Sequence, residues 1–279
     1  MLQHVLPQHA LSRLAGRFAR SETPWLRDRL IRRFAKAYNV DMDQAERPLG
    51  EYRSFNDFFT RALKPGMRPL ADARSQVLCP ADGAVSQLGR IENGRIFQAK
   101  GQSYTAAELL GGDTDLAEKF EGGSFITIYL SPSDYHRVHM PVDGTLRQTA
   151  YIPGDLFSVN TVTAENVDRL FSRNERLSSV FDTPVGAMAS VMVGAMIVAN
   201  IETVWGGLVT PHQKQIVRSD FVSEGQAGVQ LNAGDEMGRF LLGSTVVLLF
   251  EPDRVEWSDE LKPLSVVRMG QSLGRLKPA

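Results

Sequence analysis

The sequence predicts an α+β protein, with N-terminal basic amphipathic helices followed by a mainly β core. Three observations predict it. Before residue 40, apolar residues recur at helical spacing with arginines between them. After about residue 70 the texture changes to short apolar runs punctuated by turn residues. The chain has 279 residues, 43% apolar and 23% charged, enough for a substantial core and too apolar for a disordered chain. The expected division is a helical segment over 1–70 and a β-rich core over 71–279.

In the first helix Leu11, Leu14 and Phe18 share a face, with Arg13, Arg17 and Arg20 directed elsewhere. Thr23 is a good N-cap and Pro24 suits the first helical position, so a second helix starts there. It carries Leu26, Leu30, Ile31, Phe34 and Tyr38 at helical spacing. A third, short helix starts at Ser54, clusters Phe55, Phe58, Phe59 and Leu63, and closes at Lys64-Pro65-Gly66. Strands are expected at 125–130, 144–152 and 244–250, and in pieces of 185–201. Helical interludes are expected at 106–110, 116–120 and 164–171.

The charge is uneven. Residues 1–38 hold eight basic residues against Glu22 and Asp28, a net of +6 in a chain whose total is −1. No global field draws the whole protein to nucleic acid. Two readings of the front stay open: core helices with a solvated basic face, or an interfacial segment whose arginines meet anionic lipid. In the second, each basic residue near the surface contributes about 1 kcal/mol, screened by salt. The longest apolar stretch, 185–199, is broken by Gly186, Ser190 and Gly194, whereas a spanning helix needs about 20 residues. Gln3, His4, Pro7, Gln8 and His9 interrupt any signal-peptide core, so a cytoplasmic location, soluble or peripheral, is expected. Cys79 is the only cysteine, which excludes an intramolecular disulfide and a Cys-rich zinc module.

Five histidines exist: His4, His9, His136, His139 and His212. His136 and His139 follow the strand at 125–130, and in an extended segment their odd spacing sends them to opposite faces. Metal binding is disfavoured, because no Glu follows at zinc-hydrolase spacing. A surface turn or a pair with divided duties remains. His4, His9 and His212 read as surface residues. Asp82, in Pro80-Ala81-Asp82-Gly83, stands where an aspartate commonly caps its own turn. Ser244 follows Gly243 at the entry to an apolar strand and is not in a G-x-S-x-G elbow.

Taken together these fragments carry a likeness. YRSFNDFFTR at 52–61, PADG at 80–83, DYHRVHMP at 134–141, PGDLFSVN at 153–160, NERLSSVFDT at 174–183 and MGRFLLGST at 237–245 resemble phosphatidylserine decarboxylase in its bacterial membrane-associated form. Amino-acid decarboxylation needs an electron sink, commonly pyridoxal phosphate, yet no Schiff-base lysine with a phosphate cradle is evident here. The resemblance implies a pyruvoyl group made from Ser244, with no metal and no pyridoxal phosphate. It implies cleavage between Gly243 and Ser244, giving a β chain of 1–243 and an α chain of 244–279. Ser244 would be nucleophile and pyruvoyl source, His139 the base and Asp82 its orienting carboxylate. His136 would return a proton to the substrate or hold its carboxylate, and Phe157, Ser158 and Asn160 would line the pocket. The implied partners are phosphatidylserine, anionic lipids at residues 1–38, and a second αβ unit in a homodimer. The implied location is the cytoplasmic face of the bacterial membrane, peripherally attached. Two other functions fit the residues: a serine hydrolase acting on lipid with an intact Asp82, His139 and Ser244, and a non-catalytic membrane-binding protein.

Overall fold

In the computed structural model, which describes residues 8–195, 200–209, 214–222, 228–241 and 244–277, the chain opens with α1 (Gln8–Ala19) and α2 (Pro24–Ala37). α1 does not dock by its large apolar residues. Ser12, Gly16 and Ala19 are buried, whereas Leu11, Leu14 and Phe18 stand 39%, 51% and 49% exposed. The helix therefore packs by its small side, and its large apolar stripe faces outward. α2 behaves otherwise: Ile31 is buried, and the Phe34 ring lies 5.0 Å from Phe55 and 5.7 Å from Phe59. Thr23 has the extended backbone of an N-cap, but its side chain makes no capping bond. α3 (Phe55–Phe59) is capped by Ser54, which accepts from the Asp57 N–H at 3.2 Å. It ends earlier than expected, because Leu63 pairs with Ala45 as an isolated bridge and cannot also continue the helix.

Next come β1 (Gln76–Leu78), β2 (Gly83–Arg90), the hairpin β3 (Arg95–Ala99) and β4 (Gln102–Thr105), then α4 (Ala106–Leu109) and α5 (Thr114–Glu118). α4 starts with a capping box between Thr105 and Glu108. β5 (Ser124–Leu130), β6 (Arg137–His139) and β7 (Gly144–Ile152) follow. The helix expected over 164–171 is instead α6 (Thr161–Asn166) and α7 (Leu170–Arg173), since Val167 is extended and Arg169 takes a left-handed φ of 51°. β8 (Arg176–Thr183), β9 (Gly186–Val193), β10 (Ile201–Thr203) and β11 (Gly207–Val209) precede β12 (Val217–Asp220) and β13 (Gln230–Leu231). The chain ends with β14 (Glu236–Phe240), β15 (Ser244–Phe250), β16 (Val255–Trp257), β17 (Val266–Val267) and β18 (Ser272–Leu276).

A nine-stranded antiparallel sheet organises the core in the order β12-β7-β8-β9-β15-β5-β2-β17, with β13 also on β7. Two smaller sheets, β11-β10-β14-β6 and β1-β18-β16, pack against one face. The β3–β4 hairpin and the short helices pack against the other. With both faces covered, the alternation of a strand explains why β15 is apolar from Val246 to Phe250. Val246, Leu248 and Phe250 join Val138, Met140, Met237 and Phe240 on the first face. Val247 and Leu249 join Tyr104, Phe120 and Phe171 on the second. Among the described residues no helix is long and apolar enough to cross a membrane.

Candidate active site

Antiparallel order brings distant residues together, because the start of one strand lies beside the end of the next. Ser244 at the start of β15 pairs with Leu130 at the end of β5, and Gly83 at the start of β2 pairs with Val267 at the end of β17. Ala84 of β2 pairs with Tyr129 of β5. Asp82 thus lies about two strand spacings, ~10 Å, from the backbone of residue 244. Glycine is required at 83, where a Cβ would come within 2.3 Å of the Tyr129 carbonyl oxygen. The loop after β5 carries His136 and enters β6, where His139 pairs with Glu236 of β14. β14 returns to β15, so residues 241–243 connect two sheets. Gly243 lies outside the described residues, and of Ser244 only the backbone is described. His4, His212 and the His9 side chain also lie outside them.

His139 is buried, and its backbone N–H donates to the Pro80 carbonyl at 2.8 Å, beside the Asp82 turn. Its Nδ1 lies 2.8 Å from the Gly234 carbonyl. A carbonyl can only accept, so Nδ1 carries the hydrogen and Nε2 accepts from the Tyr135 hydroxyl at 3.0 Å. Burial holds the His139 pKa below its ordinary value, against the Gly234 hydrogen bond and the Glu236 charge and, least of all, the Asp82 charge.

Asp82, expected to orient His139, does not touch its ring. Its carboxylate takes Nε of Arg68 at 2.8 Å and Nη2 of the same residue, Nη1 of Arg268 at 3.1 Å, and the Met269 N–H at 2.9 Å. A carboxylate only 1% exposed needs compensation, and two guanidinium groups with a backbone donor satisfy it more fully than one imidazole N–H. The backbone of Gly234 orients the ring instead. Arg268 also reaches Asp134, 4.0 Å away, linking three loops at this sheet end.

His136 is fully buried and stacks on Phe59, with ring centroids 4.0 Å apart. Among the described residues neither ring nitrogen makes a well-formed hydrogen bond, and only the Pro132 and Ser131 carbonyls pull weakly on the ring. Its carbonyl accepts from the Phe240 N–H at 3.0 Å, tying the loop to the strand that leads toward residue 244. Burial, then the nearby Arg61 charge, lowers its pKa to about 3, against a smaller upward pull from the Pro132 and Ser131 carbonyls. The two histidines therefore occupy different surroundings.

On the opposite side of β15, β9 ends at Val193, paired with Thr245. Asn174, fully buried, donates to the Phe157 and Gly194 carbonyls at 2.8 Å each and accepts from the Phe157 N–H at 3.1 Å. Phe157 is a core residue under the Arg173 guanidinium, and Asn160 caps α6 by accepting from the Thr163 N–H at 2.9 Å. Both hold the fold, and Ser158 lies half-buried between them. Sequence reasoning missed Arg61, Arg68, Arg268, Gly234 and Asn174. Their only local signal was membership of the quoted motifs, in the cases of Arg61 and Asn174. Among the described residues no group of three or more His, Cys, Asp or Glu side chains is placed to hold a metal ion.

A family model described as phosphatidylserine decarboxylase matches residues 55–275, and one described as PSD matches residues 1–39. The chain is 57% identical to a phosphatidylserine decarboxylase proenzyme of Ectopseudomonas mendocina (strain ymp), covering 98% of this chain and 96% of that protein. Proenzymes of the same name from Azotobacter vinelandii and Pseudomonas aeruginosa (strain UCBPP-PA14) are each 58% identical, with 98% and 99% of this chain covered and 96% of each relative. With histidines and a buried aspartate gathered at the sheet end where residue 244 starts its strand, and with relatives alike over nearly the whole length, the chain belongs to the phosphatidylserine decarboxylase family.

Proposed function

We propose that this protein converts phosphatidylserine to phosphatidylethanolamine and carbon dioxide, using a pyruvoyl group that it makes from its own Ser244. The observation that carries the reading is the convergence of Asp82, His136 and His139 at the sheet end where residue 244 begins an interior strand. A group formed there would be held between β5 and β9, through the partners Leu130 and Val193 of residues 244 and 245. Once formed, a pyruvoyl carbonyl supplies the electron sink that protein side chains lack.

In maturation Ser244 Oγ attacks the Gly243 carbonyl, turning the amide into an ester. Elimination frees the carboxylate of the 1–243 chain and leaves dehydroalanine, which hydrolyses with loss of ammonia. His139 takes the hydroxyl proton at Nε2, its acceptor nitrogen, so Tyr135 must yield that position or relay the proton. The Gly234 hydrogen bond and the Glu236 charge raise the proton affinity of His139, and Asp82, which neutralises Arg68 and Arg268, adds a smaller pull in the same direction. In turnover, a substrate anion arriving beside neutral His136 raises its proton affinity, preparing it to protonate the substrate carbon. In the 157–160 segment, Ser158 meets the substrate while Phe157 and Asn160 keep the loop in shape.

A substrate with two acyl chains resides in a bilayer. The exposed Leu11, Leu14, Phe18 and Trp25 among the arginines of 1–38 suit peripheral attachment to anionic lipid, on the cytoplasmic face in this reading. The helices of residues 1–70 then serve attachment and 71–279 catalysis, with Phe59, Arg61 and Arg68 reaching across to the site, and αβ units pair as a homodimer. Intact-mass analysis tests the core of the proposal. Wild-type protein should give two chains, 1–243 and 244–279, the smaller with a pyruvoyl-blocked N-terminus, and Ser244→Ala should give one inactive chain. A single unmodified chain that releases fatty acid would establish the serine hydrolase instead.

A further inference from the structure

Arg61 follows α3 and is only 3% exposed. Its Nη2 donates to the Ser133 and Asp134 carbonyls at 2.9 and 3.2 Å, and the guanidinium lies 5.5 Å from the Phe58 ring centroid. Among the described residues Nε and Nη1 are buried without a hydrogen-bond partner and the residue forms no ion pair, the Asp82 and Asp134 charges acting on it only from a distance. A second arginine of equal burial provides the contrast. Arg176, also 3% exposed, donates from Nε to Leu109, from Nη1 to Asn174 and from Nη2 to Glu108, at 2.6–2.8 Å. That residue is structural and fully satisfied. Arg61 keeps a whole positive charge out of water with two nitrogens unused, an arrangement that is unfavourable until an anion arrives.

The location narrows the anion. Phe59 stacks on His136, Thr60 accepts from Arg137 Nε at 2.9 Å, and Arg61 holds the Ser133–Asp134 carbonyls. Three consecutive residues after Phe58 therefore grip the loop that carries both site histidines. Both nitrogens of His136 are likewise buried, neither in a well-formed hydrogen bond. Two unpaired guanidinium nitrogens, permanently cationic, beside an imidazole whose one N–H makes no well-formed bond suit an oxyanion rather than an apolar chain.

We propose that Arg61 binds an oxyanion of the substrate headgroup next to His136, either its carboxylate or its phosphodiester. This rests on the decarboxylase reading above and names the residue that reading leaves unassigned.

The test uses the processed, full-length enzyme with a short-chain phosphatidylserine, and Arg61→Met and Arg61→Lys variants. Wild-type turnover is the control: without it the functional reading fails, whatever Arg61 does. With an active wild type, Arg61→Met should mature into two chains and show a KM raised about tenfold or more, with Arg61→Lys between the two. Inhibition by the product phosphatidylethanolamine separates the sources. A weakened product Ki alongside the KM assigns Arg61 to the phosphodiester, which the product retains. An unchanged Ki assigns it to the carboxylate, which the product has lost. A KM within about twofold of wild type in Arg61→Met overturns the proposal, whatever happens to kcat. So does failure of both variants to mature, which would make Arg61 a support for the histidine loop alone.

Discussion

With both ring nitrogens buried and a guanidinium nearby, His136 stays neutral at physiological pH, its pKa lowered to about 3 from 6.5. The unfolded chain takes up that proton below about pH 6.5, the folded chain only below about pH 3. Between those values unfolding binds a proton, so folding stability falls as pH falls, by about 1.4 kcal/mol per unit from this residue. Urea midpoints measured from about pH 6 to about pH 4 should therefore decline in wild type, and His136→Phe should decline less steeply. Equal slopes would mean that His136 is not sealed from water in solution. The residues named at this sheet end were legible to different degrees. Asp82, His136, His139 and Ser244 stand in short motifs whose residue types suggest chemistry. Arg268 was not legible, because it meets Asp82 only through the pairing of β17 with β2, and Arg68 was not, because it arrives from the irregular segment ahead of β1. Gly234 was hidden for a similar reason: a backbone carbonyl carries no side-chain signature, yet it fixes the His139 tautomer.

At the scale of the element, α1 is the instructive case. Helical periodicity alone gave its apolar stripe and could not say which side would dock. Burial of Ser12, Gly16 and Ala19 lets the helix approach its neighbours closely on its small side and turns Leu14 and Phe18 outward. Leu14→Glu with Phe18→Glu should leave thermal stability nearly unchanged and reduce sedimentation with anionic vesicles. Trp25, 69% exposed, provides the readout: its emission should shift to the blue on vesicles and return in high salt. Binding indifferent to both the substitutions and salt would remove this helix from the attachment surface. The strands were more readable than the helices. β7 and β15 begin and end at the expected residues, since a turn glycine opens β7 and a continuous apolar run after Gly243 marks β15. The expected helix at 164–171 divided because a left-handed Arg169 is a tertiary outcome that local propensity does not encode.

At the scale of the whole molecule, strand order was the part that no local pattern disclosed: residues 82, 136, 139 and 244 gather at one sheet end only once β15-β5-β2-β17 and the β14–β6 pairing are known. The same order governs what becomes of a chain cut at 243–244. The 36 residues from 244 onward would comprise β15 in the middle of the large sheet, β17 at its edge, and β16 and β18 in a second sheet. The two pieces should co-elute in gel filtration in buffer and separate only in denaturant; separation without denaturant would be incompatible with an interior β15. A genetic consequence attends that burial. Two inactive alleles, one altered before residue 243 and one after 244, should not complement each other in the same cell by trading short chains. Each molecule keeps for life the strand it was translated with.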